Sequence, residues 1–372
     1  MTQARAGTDR GPVLALDVGG TQIRAAVVTP DGAIHARKAR TTPVEEGPDA
    51  VVRACHETLR ETLAAFAASP EGQAAGSPIG ISISSPGPLN PWRGVIGDTP
   101  NLGKDFRDVP IATQTETAIG LPTFLERDTQ VAALGEGAFG AAREVSEYLY
   151  VTVSSGVGGA IVTEGRLLHG PDGTAGELGH VVVDFNGPPC GCGGTGHLEA
   201  FASGVGIARA ARQAIGSGHA KDLEDYARSI GVDPAVEHLD AKQVAEADEA
   251  DVATAHGIMD EARRAFAAAC VTFVDVFDPD LIVVGGSIAR GQGDRLLGPA
   301  RDLVAREAFR APAARVRIVP AALGDDVGLV GGLVLVHTRI DDDRWRGGRP
   351  PLSPGARHDT TSRTPAASAA GG

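Results

Sequence analysis

Cysteine is scarce in this 372-residue chain, four residues in all, and tryptophan (2), methionine (2) and tyrosine (3) are scarcer still. So few cysteines exclude the dense disulfide framework of a small secreted domain, and a chain of this length has no need of one. Long apolar runs are also missing. No stretch approaches the roughly 18 residues of a membrane span, and the opening MTQARAGTDRGP lacks the apolar segment of a secretory leader. A cytoplasmic protein with no membrane partner is expected. Basic charge is short as well: 34 Lys and Arg face 47 Asp and Glu, a formal net charge of −13. That balance repels nucleic acid and anionic lipid, so nucleic acid is not an expected partner and small molecules are. With 42% hydrophobic and 22% charged residues the chain is of ordinary globular composition, and its length favours two domains.

Glycine, by contrast, is plentiful, and it punctuates two similar passages. VLALDVGGTQIRAAVVTPDGAI reads as strand, glycine turn, strand and a hairpin turn at Asp31 and Gly32; YLYVTVSSGVGGAIVTEGRLL repeats the grammar and ends its second strand at Glu164 and Gly165. Two such units imply a duplicated architecture. Between them lie a helical stretch (DAVVRACHETLRETLAAFAAS), a strand (IGISIS), a loop opening SPGPLN, and PTFLERDTQVAALGEGAFG, where a helix follows Asp128. Downstream, FASGVGIARAARQAIGSG and the long run from AKQVAEADEADVATAHGIMD to FVDVF are helical in pattern, and DLIVVGGS is a buried strand. The alternation gives an α/β fold.

Several residues in these passages have a chemical reading. Asp17 with Gly19, Gly20 and Thr21 sets an acid and a hydroxyl around glycines at a strand end, where backbone amides can approach phosphate oxygens and the carboxylate can hold magnesium through water. Ser154, Ser155 and Gly156 repeat the design. Gly285 and Gly286 would let a base or ribose pack on backbone. Each of these also reads as a plain turn, and Asp128 reads equally as the cap of its helix. Cys55 and Cys270 sit in helical stretches and read as small buried residues. Cys190 and Cys192 differ: a bridge between residues two apart would strain disulfide geometry, so a metal explains them better.

In order, LALDVGGTQIR, ISISSPGPLN, TPNL, ERDTQVAALGE, SSGVGGAIVTEGRLLHGPDGTAGELGHVVVD, CGCGGTGHLE, DPDLIVVGGS and LGDDVGLVGG resemble the ROK family of sugar kinases and related repressors, within the actin-like and hexokinase-like ATPase superfamily. The resemblance covers about residues 12–340. It implies two actin-like (ribonuclease H-like) α/β domains hinged about a central cleft. The smaller domain spans 12–122 and is completed by a C-terminal helix at 324–340; the larger spans 123–323. Residues 1–11 are expected to be flexible and 341–372, rich in Pro, Ser, Gly, Thr and Arg, to be a disordered tail.

By the same resemblance Asp128 is the general base that takes the proton of a sugar hydroxyl as it attacks the γ-phosphoryl group. Gly87, Asn101, Glu177, His180 and Glu199 meet the sugar, while the three glycine turns hold ATP with Mg2+. His180, Cys190, Cys192 and His197 form a structural Zn2+ site, four nitrogen and sulfur donors of the kind tetrahedral zinc takes. Two positions depart from the family's pattern. His197 stands where a third cysteine is usual, which alters the charge of the site. Arg127 stands where asparagine is usual, replacing a group that donates and accepts with one that only donates. Arg127 is therefore expected to change sugar choice, to point away towards Glu126, or to weaken the base. The implied activity is ATP-dependent phosphorylation of a hexose 6-hydroxyl, glucose first, with fructose, mannose, allose or an N-acetylhexosamine as alternatives and polyphosphate open as a donor. A repressor would need a DNA-binding module ahead of the fold, for which the residues before Val13 leave little room; a sugar-binding regulator without catalysis rests on Arg127 alone. The expected assembly is a homodimer or homotetramer.

Overall fold

The computed structural model describes residues 10–103, 105–342 and 345. Most of the N-terminus expected to be flexible and of the tail expected to be disordered lies outside them. The first hairpin is β1 (Val13–Val18) and β2 (Gln22–Val28), paired from Val13 with Val28 to Val18 with Ile23. β3 (Ile34–Thr41) follows antiparallel to β2. Helices α1 (Pro48–Ala67) and α2 (Pro70–Ala75) lead to β4 (Ile81–Ser85), the short strands β5 (Leu89–Asn90) and β6 (Val95–Ile96), α3 (Ile111–Ile119) and β7 (Thr123–Arg127). β4 runs parallel to β1, and β7 parallel to β4, so the first sheet has the order β3-β2-β1-β4-β7. β7 thus extends that sheet to Arg127, past the boundary expected at 122.

The second half repeats this plan. After α4 (Asp128–Phe139) come β8 (Tyr148–Val153), β9 (Val157–Thr163) and β10 (Arg166–Leu167), an antiparallel set, then α5 (Leu198–Ala202), α6 (Gly204–Gly216), α7 (Lys221–Ser229), α8 (Ala241–Glu249) and α9 (Ala253–Phe277). β11 (Leu281–Gly285) is parallel to β8; α10 (Ser287–Gln292), α11 (Asp294–Glu307) and α12 (Arg310–Arg315) lead to β12 (Arg317–Pro320), parallel to β11. The order β10-β9-β8-β11-β12 matches the first sheet strand for strand. In both, the turn after the first strand carries the glycine motif read from the sequence. The turn at Glu164 and Gly165 has both residues at positive φ, 51° and 72°, as a tight hairpin of the right twist demands.

Each sheet buries one face under its own helices. α1 buries Val51, Cys55, Leu59 and Phe66 at helical spacing over β2 and β3, while α9 buries Met259, Phe266, Cys270 and Phe273 beneath the second sheet. Cys55 and Cys270 are core residues, and burial pushes the Cys55 thiol up to about 12. The long helical run read from the sequence is two helices: Asp251 at φ 59° breaks it between α8 and α9.

Between the sheets lie α4 and the last helix, α13 (Val327–Arg339). Val131 of α4 joins Leu329 and Leu333 of α13 under the first sheet, while Ala132 and Ala133 face Tyr148, Tyr150 and Val283 of the second. The two helices cross backbone to backbone. A Cβ on Gly331 would stand 1.9 Å from the Val131 carbonyl oxygen, so only glycine fits.

Candidate active site

The ends of β1, β7 and β8 open on one cleft, and each delivers a different group. At the end of β1, the Gly19 amide donates to the Gln22 carbonyl at 3.0 Å and closes the first turn. Gly20 lies against the backbone of Asn101, whose oxygen would be 2.3 Å from a Cβ there. Asn101 itself is exposed, as is Thr21. Asp17 is not free: Arg24, directly opposite it in the hairpin, donates through Nε at 3.1 Å and through a second nitrogen to the same carboxylate oxygen. Arg24 also donates to the Asp325 carbonyl at 3.0 Å, and Arg290 pairs with the Asp325 carboxylate at 3.0 Å. Sequence reading missed Arg24, although counting the hairpin register would have set it against Asp17.

The second turn is held from three sides. Ser154 Oγ lies 3.0 Å from Ser287 Oγ at the start of α10, and the amides of Gly204 and Val205, at the start of α6, donate to the carbonyls of Ser154 and Ser155 at 2.8 and 3.2 Å. Gly286, at φ 96°, presses on the end of β8, where the Val153 oxygen would be 2.3 Å from a Cβ. Ser154, Ser155, Gly156, Gly285 and Gly286 are therefore gathered at one edge of the second sheet.

At the end of β7, three consecutive residues part company. Glu126 turns inward and is fully buried, holding Arg339 of α13 and, at 2.7 Å, His169. Burial opposes its ionisation, but Arg339 and His169 overcome this and hold its carboxyl down at about 2. Arg127 does not turn towards the Glu126 carboxylate. Its guanidinium reaches across to the Glu177 carboxylate and the Ala175 carbonyl, while its buried Nε has no hydrogen-bond partner among the described residues. Gly87 sits over the Arg127 stem; a Cβ there would be 3.3 Å from Cδ.

Asp128 is the first residue of α4 rather than its cap, a place taken by Arg127, and its Oδ1 accepts the Thr129 amide at 2.7 Å. Its side chain is exposed on the cleft, where the surrounding protein partly desolvates the carboxyl. That desolvation pushes its carboxyl up to about 6, against the Thr129 hydrogen bond, with Asp17 and Glu177 adding repulsion and Arg127 opposing them.

The glycine-rich loop brings its four donors together: one ligand atom from each of His180, Cys190, Cys192 and His197 lies within 4.8 Å of all the others. Cys192 Sγ is 3.2 Å from His197 Nδ1, and Cys190 Sγ is 3.8 Å from His180 Nδ1. Ligands about 2.0 to 2.3 Å from a tetrahedral zinc stand roughly 3.3 to 3.8 Å apart, so these residues fit that ion. With Nδ1 given to the cluster, His180 Nε2 faces Glu177 at 4.0 Å. Glu199 lies between the loop and the second glycine turn, its Oε2 accepting the Val157 amide at 3.0 Å.

Two sheets of one topology, with a glycine turn at the end of each first strand and a cleft between them, define the actin-like ATPase fold. The chain belongs to the ROK family, whose pattern it matches over residues 13–339. It is 33% identical over 328 residues to a glucokinase of Thermotoga maritima, covering 88% of this chain and 98% of that one. It is also 33% identical to an N-acetylmannosamine kinase of Escherichia fergusonii, covering 87% and 98%. Among solved structures, a ROK glucokinase of Streptomyces griseus in complex with glucose and AMPPNP superposes with a TM-score of 0.67 at 28% identity, over 87% of this chain and 99% of that one.

Proposed function

We propose that this protein transfers the γ-phosphoryl group of ATP to the 6-hydroxyl of a hexose, glucose first, with Asp128 as general base. The observation that carries the reading is Asp128 itself: a carboxylate open to the cleft at a helix N-terminus, with a pKa raised towards neutrality and so matched to taking a proton at physiological pH. In this reading the glycine turns at 19–21, 154–156 and 285–286 hold the nucleotide, and Asp17, oriented by Arg24, faces its magnesium. Bound magnesium would neutralise the β and γ phosphates. Gly87, Asn101, Glu177, His180 and Glu199 surround the sugar, and polar groups left unpaired by a smaller ligand would reject it. A zinc ion on His180, Cys190, Cys192 and His197 would fix the loop that aims His180 and Glu199. N-acetylmannosamine is the second reading, favoured by the 33% identity to an N-acetylmannosamine kinase and by Arg127, which sets a donor-only group beside Glu177. Placement in the cytoplasm and assembly as a homodimer or homotetramer belong to the same proposal; no helix among the described residues is long and apolar enough to cross a membrane.

The test is ADP release over a panel of hexoses and N-acetylhexosamines, run beside Asp128→Asn. The wild type is expected to turn over at least one hexose. The variant should lose about 10² to 10⁴ in kcat while still binding the sugar, because the amide keeps the shape but cannot take the proton. Turnover of Asp128→Asn within a few-fold of wild type removes Asp128 from the role.

A further inference from the structure

The chain has only two tryptophans, and they touch. Trp92 sits in the turn between β5 and β6, and Trp345 follows α13; their rings stack with centroids 6.0 Å apart and planes 8° from parallel. His169, from the second half of the molecule, tilts against both rings at 5.6 and 5.7 Å. The Arg339 guanidinium lies 3.6 Å from the Trp345 ring centre, on the charge-attracting face of the indole. Arg339 and His169 both hold Glu126, two residues before Asp128. The cluster therefore ties the first domain, the second domain and the segment after α13 at one point.

That point lies next to the segment proposed to meet the sugar. The loop that begins at His169 continues to Ala175 and Glu177, and it rests on the Trp92 turn: a Cβ on Gly173 would stand 2.7 Å from Pro91 and 3.1 Å from the Trp92 ring. Aromatic stacking and a cation against an indole face are weak contacts taken singly, yet they are directional.

We propose that Trp92, Trp345 and His169 form a latch across the interdomain seam that holds the 170–177 loop in its sugar-binding position, making Trp345 a positioning residue for substrate affinity. The inference rests on the reading of Glu177 as a sugar contact. Loosening the latch lets the loop leave its bound position, so the sugar must select a smaller population and its apparent affinity falls by that fraction. The transfer step, carried by Asp128, is left alone.

The experiment compares wild type with Trp345→Ala and Trp345→Phe by steady-state kinetics and by tryptophan emission during a glucose titration. Trp345→Ala is expected to raise KM for glucose by about three- to tenfold, the effect of a lost ring contact on a two-state loop, with kcat within about twofold. Trp345→Phe should restore most of the affinity, and in Trp345→Ala the emission, which comes from Trp92 alone, should change as glucose draws the loop back to its bound position. An unaltered KM in Trp345→Ala, or a Trp92 signal indifferent to glucose while the enzyme turns it over, overturns the latch and leaves the kinase reading standing. A wild type that neither binds nor phosphorylates any hexose overturns both.

Discussion

Glu126 and Asp128 are two carboxylates two residues apart, and their surroundings drive their acidity in opposite directions. Glu126 is enclosed with Arg339 and His169 and stays ionised; its carboxyl falls from the usual 4.5 to about 2, so the stability it lends is present above the ordinary range and is lost as pH falls from there through 2. Asp128 opens on the cleft, where partial desolvation is not offset by an adequate cation; its carboxyl rises from 3.8 to about 6, so between those values the folded protein holds the proton more tightly, and raising the pH through that window removes stability. In the proposed reading Glu126 serves structure and Asp128 takes the proton, the separation expected of an acid–base site. A general base works only when ionised. The rate constant kcat/KM for the sugar should therefore climb with pH on a single-proton limb centred near 6, where Asp128 titrates. The check is kcat/KM over about pH 5 to 8, and a profile flat below about pH 5.5 would take Asp128 out of the rate equation.

At the scale of elements, the sequence carried the parts whose chemistry is local. The glycine turns, the Cys190 and Cys192 pair and the strand LIVVG announced themselves because a tight turn or a metal demands particular residue types at fixed spacing. β12 did not: RIVP has four residues with one fully buried, too short for alternation to show. The break at Asp251 was hidden too, because apolar periodicity continues through it and only a non-glycine residue at φ 59° marks the corner. The loop of Cys190 and Cys192 is an element with little core of its own. Cys190 is buried, but Gly191, Cys192 and Gly193 are exposed, and Arg209 pins the loop from outside by donating to the Pro189 and Ala200 carbonyls. Zinc would supply the missing cohesion; structural zinc sites in peptides bind with about 10 to 16 kcal/mol of apparent free energy. We expect about one zinc per chain by elemental analysis. Cys192→Ser should lose the metal and raise KM for the sugar at least about tenfold, since His180 and Glu199 flank the same loop. Active, metal-replete protein without zinc would sink the assignment.

At the scale of the whole molecule, the duplicated topology was legible from two repeats of one glycine grammar, but what crosses between the halves was not. Arg127 shows why. From the sequence it had three destinations, and only the fold, by setting the end of β7 across from residues 175–177, sends its guanidinium to Glu177 and the Ala175 carbonyl. Arg127 is thus an ion-pair bridge between the end of β7 in the first sheet and the 175–177 segment. It claims one oxygen of Glu177 and leaves the other facing His180. In the proposed kinase reading, a sugar in this cleft would meet an acid already half engaged by a neighbouring cation. Arg127→Asn should free Glu177 and restore an acceptor at the site, so discrimination among sugars should move. Hydrogen bonds to charged groups are worth about 1.5 to 3 kcal/mol, so a shift of roughly tenfold or more in the kcat/KM ratio between glucose and N-acetylmannosamine is expected. Because Glu177 is 43% exposed, its lost partner is replaced by water and the fold should survive the change. Parallel kinetics of wild type and Arg127→Asn on glucose, mannose, galactose, allose and N-acetylmannosamine give the answer. If every sugar changes by the same factor, Arg127 ties β7 to the 175–177 segment without reading the substrate.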